Sequence, residues 1–320
     1  MPFLDIILLV AGFLLLIKGA DWLVAGSSDL ARRFGIRDIV IGLTIVAFGT
    51  SAPELIVNLI SAFRGSTDLA LGNIVGSNIS NLLFILGVAG LIYPLRVPKG
   101  TVWKEIPFSL LASFVLLFVV NDIFLDNTAA SAVTRTDGLV MLLFLAIFLY
   151  YTYEISRSGS SSYPKTHAKR SWLVVTGLIA SGIIGLALGG HLIVTGATAI
   201  ASSLGISEAL IGLTVVAIGT SLPELATSAV AAWRRQVNIA VGNIVGSNIF
   251  NVFFILATTS VIRPLPIPAA LNFDILVLIV ASLLLFFIMF IGKKHTVERW
   301  QAGLFFLSYL AYIVFITLRG

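Results

Sequence analysis

Apolar residues fall in ten long runs along this chain, at roughly 3–27, 38–62, 69–93, 106–121, 138–154, 172–200, 208–232, 239–262, 272–291 and 301–318. Most approach the ~20 residues that a helix needs to cross the hydrocarbon of a bilayer. Within a run nearly every position is apolar, so each helix is expected to meet lipid or another helix on all sides. The longest polar interruption, RSGSSSYPKTHAKR at 157–170, carries Ser, Gly, Lys and Pro164 and reads as an exposed linker. Five runs precede it and five follow, giving units 1–156 and 171–320. The opening MPFLDIILLVAGFLLLIKG has no basic leader and continues into more membrane-compatible sequence, so it is expected to be the first span, not a cleaved signal.

The two units are copies of each other. Residues 42–54 read GLTIVAFGTSAPE and 212–224 read GLTVVAIGTSLPE, while 72–81 read GNIVGSNISN and 242–251 read GNIVGSNIFN. A single offset of 170 relates both pairs and runs without a gap from Gly19/Gly189 to Pro94/Pro264. The expected fold is an all-α polytopic membrane protein of ten transmembrane helices. With five spans per unit, the second copy must enter the membrane from the opposite face. The result is a pair of inverted five-helix repeats, the arrangement of secondary transporters.

Composition agrees, and charge adds an orientation. The 320 residues are 58% hydrophobic and only 11% charged, with mean hydropathy +1.05, too little polar surface for a soluble globule. The basic residues behind the pI of 9.6 sit in short loops between spans, which is how topology is encoded, and not in a nucleic-acid-binding patch. Of the 20 Lys and Arg, 15 fall on one side of a ten-span layout, while Arg64, Arg135, Arg263 and Arg319 fall on the other and Lys18 lies inside the first span. Both termini are therefore expected outside and the linker in the cytoplasm. With no cysteine and three scattered histidines, thiolate and zinc chemistry have no ligand pattern to use. No cofactor, obligate protein partner or long regulatory insertion is evident.

Each copy places a carboxylate, Glu54 or Glu224, inside an apolar run, where an ionised group costs at least ~2.5 kcal/mol. Pro53 and Pro223 immediately precede them. A proline ring removes a donor and clashes one turn back, so the helix must kink or break and free backbone oxygens beside the acid. Helical spacing puts Thr44, Ala47, Ser51, Glu54 and Asn58 on one face with Thr50 beside it, and Thr214, Ala217, Ser221, Glu224 and Ser228 on another with Thr220. Asn73, Ser77 and Asn81 share a face, as do Asn243, Ser247 and Asn251. Four such stripes should converge, and oxygen-only ligands suit Ca²⁺, Na⁺ or Mg²⁺. Asn73, Asn78, Asn243 and Asn248 read as braces for the broken helices. Lys18 and Asp21, three apart, read as a local ion pair.

The doubled GTSAPE/GTSLPE and GNIVGSNISN/GNIVGSNIFN motifs resemble the two alpha-repeats of the calcium/cation antiporter superfamily, specifically its sodium/calcium exchanger branch. The resemblance covers the whole layout and implies exchange of Ca²⁺ for Na⁺ by alternating access, with the first and sixth spans sliding across the rest. It further implies a calcium centre of Glu54, Glu224, Thr50 and Thr220, completed by Asn81 and Asn251. One flanking sodium site would use Ser51, Ser77 and the Ala217 carbonyl, and its mirror Ser221, Ser247 and the Ala47 carbonyl. Potassium-coupled relatives carry an acid at a central asparagine position and proton-coupled ones a glutamate in the second motif. This chain has neither. Two alternatives stay open: an H⁺-coupled antiporter for Ca²⁺ or another divalent cation, and an intramembrane enzyme using the glutamates as an acid/base pair.

Overall fold

The structure is a computed structural model that describes residues 2–65, 67–123, 131–158, 170–203, 217–267 and 271–319. Most of the 157–170 linker, Thr214 and the first part of the expected 208–232 span lie outside the described residues. The chain folds as an all-α polytopic membrane protein. Its first copy contains α1 (Pro2–Phe34), α2 (Asp38–Thr50), α3 (Ala52–Arg64), α4 (Leu69–Ile92), α5 (Lys99–Val119) and α6 (Arg135–Ser158). The second contains α7 (Trp172–Ser203), α8 (Ala217–Thr220), α9 (Leu222–Trp233), α10 (Val237–Ile262), α11 (Leu271–Ile288) and α12 (Arg299–Arg319). Among the described residues, eight helices are long and apolar enough to span a bilayer, and α2–α3 adds a ninth bent by 43°.

The copies are inverted, and the packing demonstrates it. Helices α1 and α7 occupy equivalent places in the two copies, yet they run antiparallel. A side chain on Gly196 would meet Asp5, one on Gly189 would meet Leu16, and one on Gly182 would meet Leu23. At Gly19 a Cβ would lie 2.7 Å from the Leu186 backbone nitrogen, and Gly182, Gly189 and Gly196 show the same closeness. Only glycine permits this approach, which gives two long helices an extended seam without large side chains. Helix α1 exceeds its expected length because its polar end is packed: Ser28 donates to Gln236 at 2.7 Å, and Asp29 pairs with Arg170 at 2.8 Å.

Equivalent strands also part company. Strand β1 (Leu95–Arg96), after α4, pairs with β4 (Thr296–Val297), before α12. Strand β3 (Leu265–Pro266), after α10, pairs with β2 (Ala132–Val133), before α6. A rotation that exchanges the copies thus exchanges these two clips. Helices α4 and α10 form the centre: 78% and 94% of their most apolar windows are buried, against 28% for α1. The second motif lies on these two central helices.

Candidate functional site

The proline after each Gly-Thr-Ser acts as expected in kind, but the disruption is smaller than a break. Ser51 (φ −83°, ψ 6°) and Ser221 (φ −86°, ψ 0°) are single non-helical residues between α2 and α3 and between α8 and α9. Hydrogen bonding continues across the kink: Ser51 N–H donates to Ala47 O at 3.0 Å and Leu55 N–H to Ser51 O at 3.1 Å, and Leu225 N–H donates to Ser221 O at 3.0 Å. Pro53 removes only the donor that would have faced Gly49 O. The Ala47 carbonyl accepts from Ser51 N–H, and the Thr50 hydroxyl oxygen lies 3.2 Å from it. Ala217, the matching residue, is the first described residue of α8.

Glu54 and Glu224 are each 1% exposed and close enough to interact electrostatically. Around Glu224, Ser51 Oγ lies 2.8 Å from Oε1, Ser247 Oγ lies 3.5 Å from the same oxygen, and the two hydroxyls are 3.0 Å apart. Around Glu54, Ser77 hydrogen-bonds the carboxyl group and Ser221 donates to Ser77 at 3.3 Å. The hydrogen bonds thus group the serines differently from the expected flanks: Ser51 joins Ser247 and Glu224, whereas Ser77 joins Ser221 and Glu54. Inversion makes each kinked helix face the second motif of the other copy. Spacing along one helix carries no information about which partner face it meets.

The threonines follow the same crossed rule. Thr50 Oγ1 donates to Asn243 Oδ1 at 2.9 Å, and Thr220 Oγ1 to Asn73 Oδ1 at 3.2 Å. Asn243 also donates to Glu224 O at 3.3 Å and Ser228 Oγ at 3.0 Å, while Asn58 donates to Glu54 O at 2.8 Å. The asparagines thus brace the backbone behind each acid. Asn78 and Asn248 form a reciprocal pair, each amide 3.4 Å from the other's carbonyl oxygen. Their side-chain oxygens accept from Asn251 and Asn81, both at 2.9 Å.

That amide ring spends the NH₂ groups of Asn81 and Asn251 and leaves their Oδ1 atoms without a donor. Glu54 Oε2 and Glu224 Oε2 are likewise buried without a partner. Four buried acceptors without a donor, gathered at one place, are a costly arrangement that requires an explanation. A cation supplies one, since hard divalent and monovalent ions take oxygens of just these types. Among the described residues no cluster of three or more His, Cys, Asp and Glu exists, so the charge at this centre is that of two carboxyl groups. The helical ladder also widens into π-turns at Ser80–Ile85 and Asn251–Leu256, beginning at or beside the central asparagines. Such bulges recur at functional positions. Periodicity analysis, which assumes 3.6 residues per turn, missed them.

Lys18 and Asp21 do not pair. Asp21 forms an ion pair with Arg234 at the end of α9, because the inverted copy brings that turn beside α1.

Inverted repeats, matching kinks and a buried oxygen-rich centre define a secondary cation transporter. The chain belongs to the sodium/calcium exchanger protein family, whose model matches residues 4–154 and 174–318. It is 36% identical to the putative antiporter CaxA of Alkalimonas amylolytica, over 96% of both chains. It is 31% identical to the sodium/calcium exchanger MaX1 of Methanosarcina acetivorans, over 97% of both. Among solved structures, the sodium-calcium exchanger NCX_Mj soaked with Na⁺ and Sr²⁺ superposes with a TM-score of 0.84 at 34% identity, covering 98% of this chain and 99% of that one. The chain is accordingly a membrane cation antiporter and not an enzyme.

Proposed function

We propose that this antiporter exchanges Ca²⁺ for Na⁺ by alternating access, at one centre built on Glu54 and Glu224. The observation that carries the reading is the set of four buried, unpartnered oxygens, two from these glutamates and two from Asn81 and Asn251. Two carboxylates balance one Ca²⁺, or most of the charge on two or three Na⁺, so the same nest can accept either load in turn. Thr50 and Thr220 would complete the centre. Ser51, Ser247 and the Ala47 carbonyl would form one flanking sodium site, and Ser77, Ser221 and the Ala217 carbonyl the other.

Access would alternate as α1 and α7 slide together across the remaining helices. Their glycine-lined seam supports movement as a unit, since it packs them on each other more closely than on their neighbours. The 15 basic residues on one side support a cell-membrane orientation with both termini outside.

Sodium-gradient-driven ⁴⁵Ca²⁺ uptake into proteoliposomes tests the proposal. Uptake should require an opposing Na⁺ gradient and disappear in Glu54→Gln and Glu224→Gln. Uptake driven by a pH gradient without Na⁺ would transfer the function to proton coupling, and full activity in either variant would remove that glutamate from the mechanism.

A further inference from the structure

The two ends of this pseudo-symmetric molecule differ at one equivalent place. At the end of α3, the chain turns through Gly65 in the left-handed region (φ +82°). The absent side chain leaves room for Arg263, whose guanidinium lies 3.4 Å from where a Cβ would stand. Arg263 donates there to the helix-terminal carbonyls of Ala62 at 3.1 Å and Phe63 at 3.5 Å. At this end the cation is spent on the protein's own backbone.

At the equivalent turn after α9, the 170-residue offset puts Arg235 where Gly65 stands and Tyr93 where Arg263 stands. Arg235 holds the same left-handed conformation (φ +58°), which a side-chain-bearing residue adopts only at a cost in strain. Its guanidinium lies over the Tyr93 ring, 5.6 Å from the centroid. Instead of a plugged helix end there is a cavity of about 320 Å³ lined by Ile92, Tyr93, Ala232, Trp233, Arg235 and Arg299. Among the described residues, no carboxylate lies within ion-pair distance of Arg235 or Arg299. Arg299 reaches only the Ile92 carbonyl, at 3.4 Å. Glu298, its sequence neighbour, is turned to the Lys293 backbone N–H at 3.4 Å and ammonium at 3.9 Å. Trp233 is 79% exposed beside the cavity, as an indole seated at a headgroup layer would be.

We infer that this cavity between α4, α9 and α12 is a phosphate-binding site, and that its occupant is the headgroup of an anionic phospholipid. Two guanidinium groups converge on a space that holds no acid, and guanidinium forks match phosphate oxygens. The cavity lies at the arginine- and lysine-rich end of the molecule, with an exposed apolar rim suited to acyl chains. Basic pockets between helix ends on the cytoplasmic side suit such headgroups.

Native mass spectrometry of the purified chain, titrated with phosphatidylglycerol or phosphatidylcholine, tests the site. Arg235→Gly is the informative variant, because glycine accepts the left-handed turn and the fold is retained, as Gly65 demonstrates in the first copy. Arg235→Gly and Arg299→Ala should each lower phosphatidylglycerol retention about fivefold, leaving phosphatidylcholine retention and ⁴⁵Ca²⁺ exchange in phosphatidylcholine vesicles unchanged. Equal phosphatidylglycerol retention in wild type and both variants would overturn the inference. Inorganic phosphate raising the melting temperature of the wild type but not of Arg235→Gly, without selective lipid loss, would keep the arginine site and overturn the lipid assignment.

Discussion

At the scale of single residues, the chemistry rests on which oxygens are satisfied. Glu224 uses one oxygen on Ser51 and Ser247, Glu54 is hydrogen-bonded by Ser77, and each leaves its Oε2 without a donor. A hydrogen bond to a charged group contributes about 1.5–3 kcal/mol, so Ser51→Ala should weaken apparent Na⁺ affinity about tenfold or more in transport assays. The crossed grouping makes a sharper prediction. Ser51→Ala and Ser247→Ala touch the same carboxylate oxygen and should combine non-additively, by about 0.5 kcal/mol or more. Ser51→Ala and Ser77→Ala belong to different triads and should couple more weakly. The opposite pattern in a double-mutant cycle would restore the grouping expected from the family resemblance. The identities of these residues were legible in the sequence, because a doubled polar stripe in an apolar helix has few other uses. Their partners were not legible, since partnership depends on how the two copies dock.

At the scale of elements, the glycine seam sets how closely α1 and α7 pack. Replacing Gly19 by leucine would push a side chain into the Leu186 backbone, 2.7 Å from the Cβ position. Overpacking of this kind costs about 1–3 kcal/mol, and the variant should show a lowered melting temperature in detergent together with lost exchange. Wild-type values for both would remove the seam from the mechanism. Asp21 and Arg234, each with a side chain 35% exposed, tie α1 to the end of α9. Among the described residues no such pair joins the equivalent positions His191 and Arg64. The tether is therefore expected to favour closure at one end only. The chain lacks cysteine, so a single Ser27→Cys reporter should label with a water-soluble maleimide about two- to fivefold faster in an Asp21→Asn background. Unchanged labelling would mean that the pair does not bias closure. Helix positions were legible from hydrophobic runs because lipid demands them. The Asp21 pairing was not, because its partner lies 213 residues away, and the π-turns were not, because they obey no helical period.

At the scale of the whole molecule, inversion is the organising fact. It brings two glutamates from opposite directions to one place, and it lets identical motifs serve both faces of a membrane. The inversion was legible from an odd span count and a constant 170-residue offset, and the antiparallel α1 and α7 realise it. Departures from the symmetry, at Arg235 and at Asp21, make the two ends structurally different. The central claim is that a single nest takes Ca²⁺ and Na⁺ by turns. Equilibrium ⁴⁵Ca²⁺ binding to the purified chain across a range of Na⁺ concentrations tests it most directly. The account predicts that Na⁺ displaces all bound Ca²⁺ and that Glu54→Gln and Glu224→Gln each abolish the binding; Ca²⁺ that stays bound at saturating Na⁺, or binding retained when both glutamates are replaced, would contradict it.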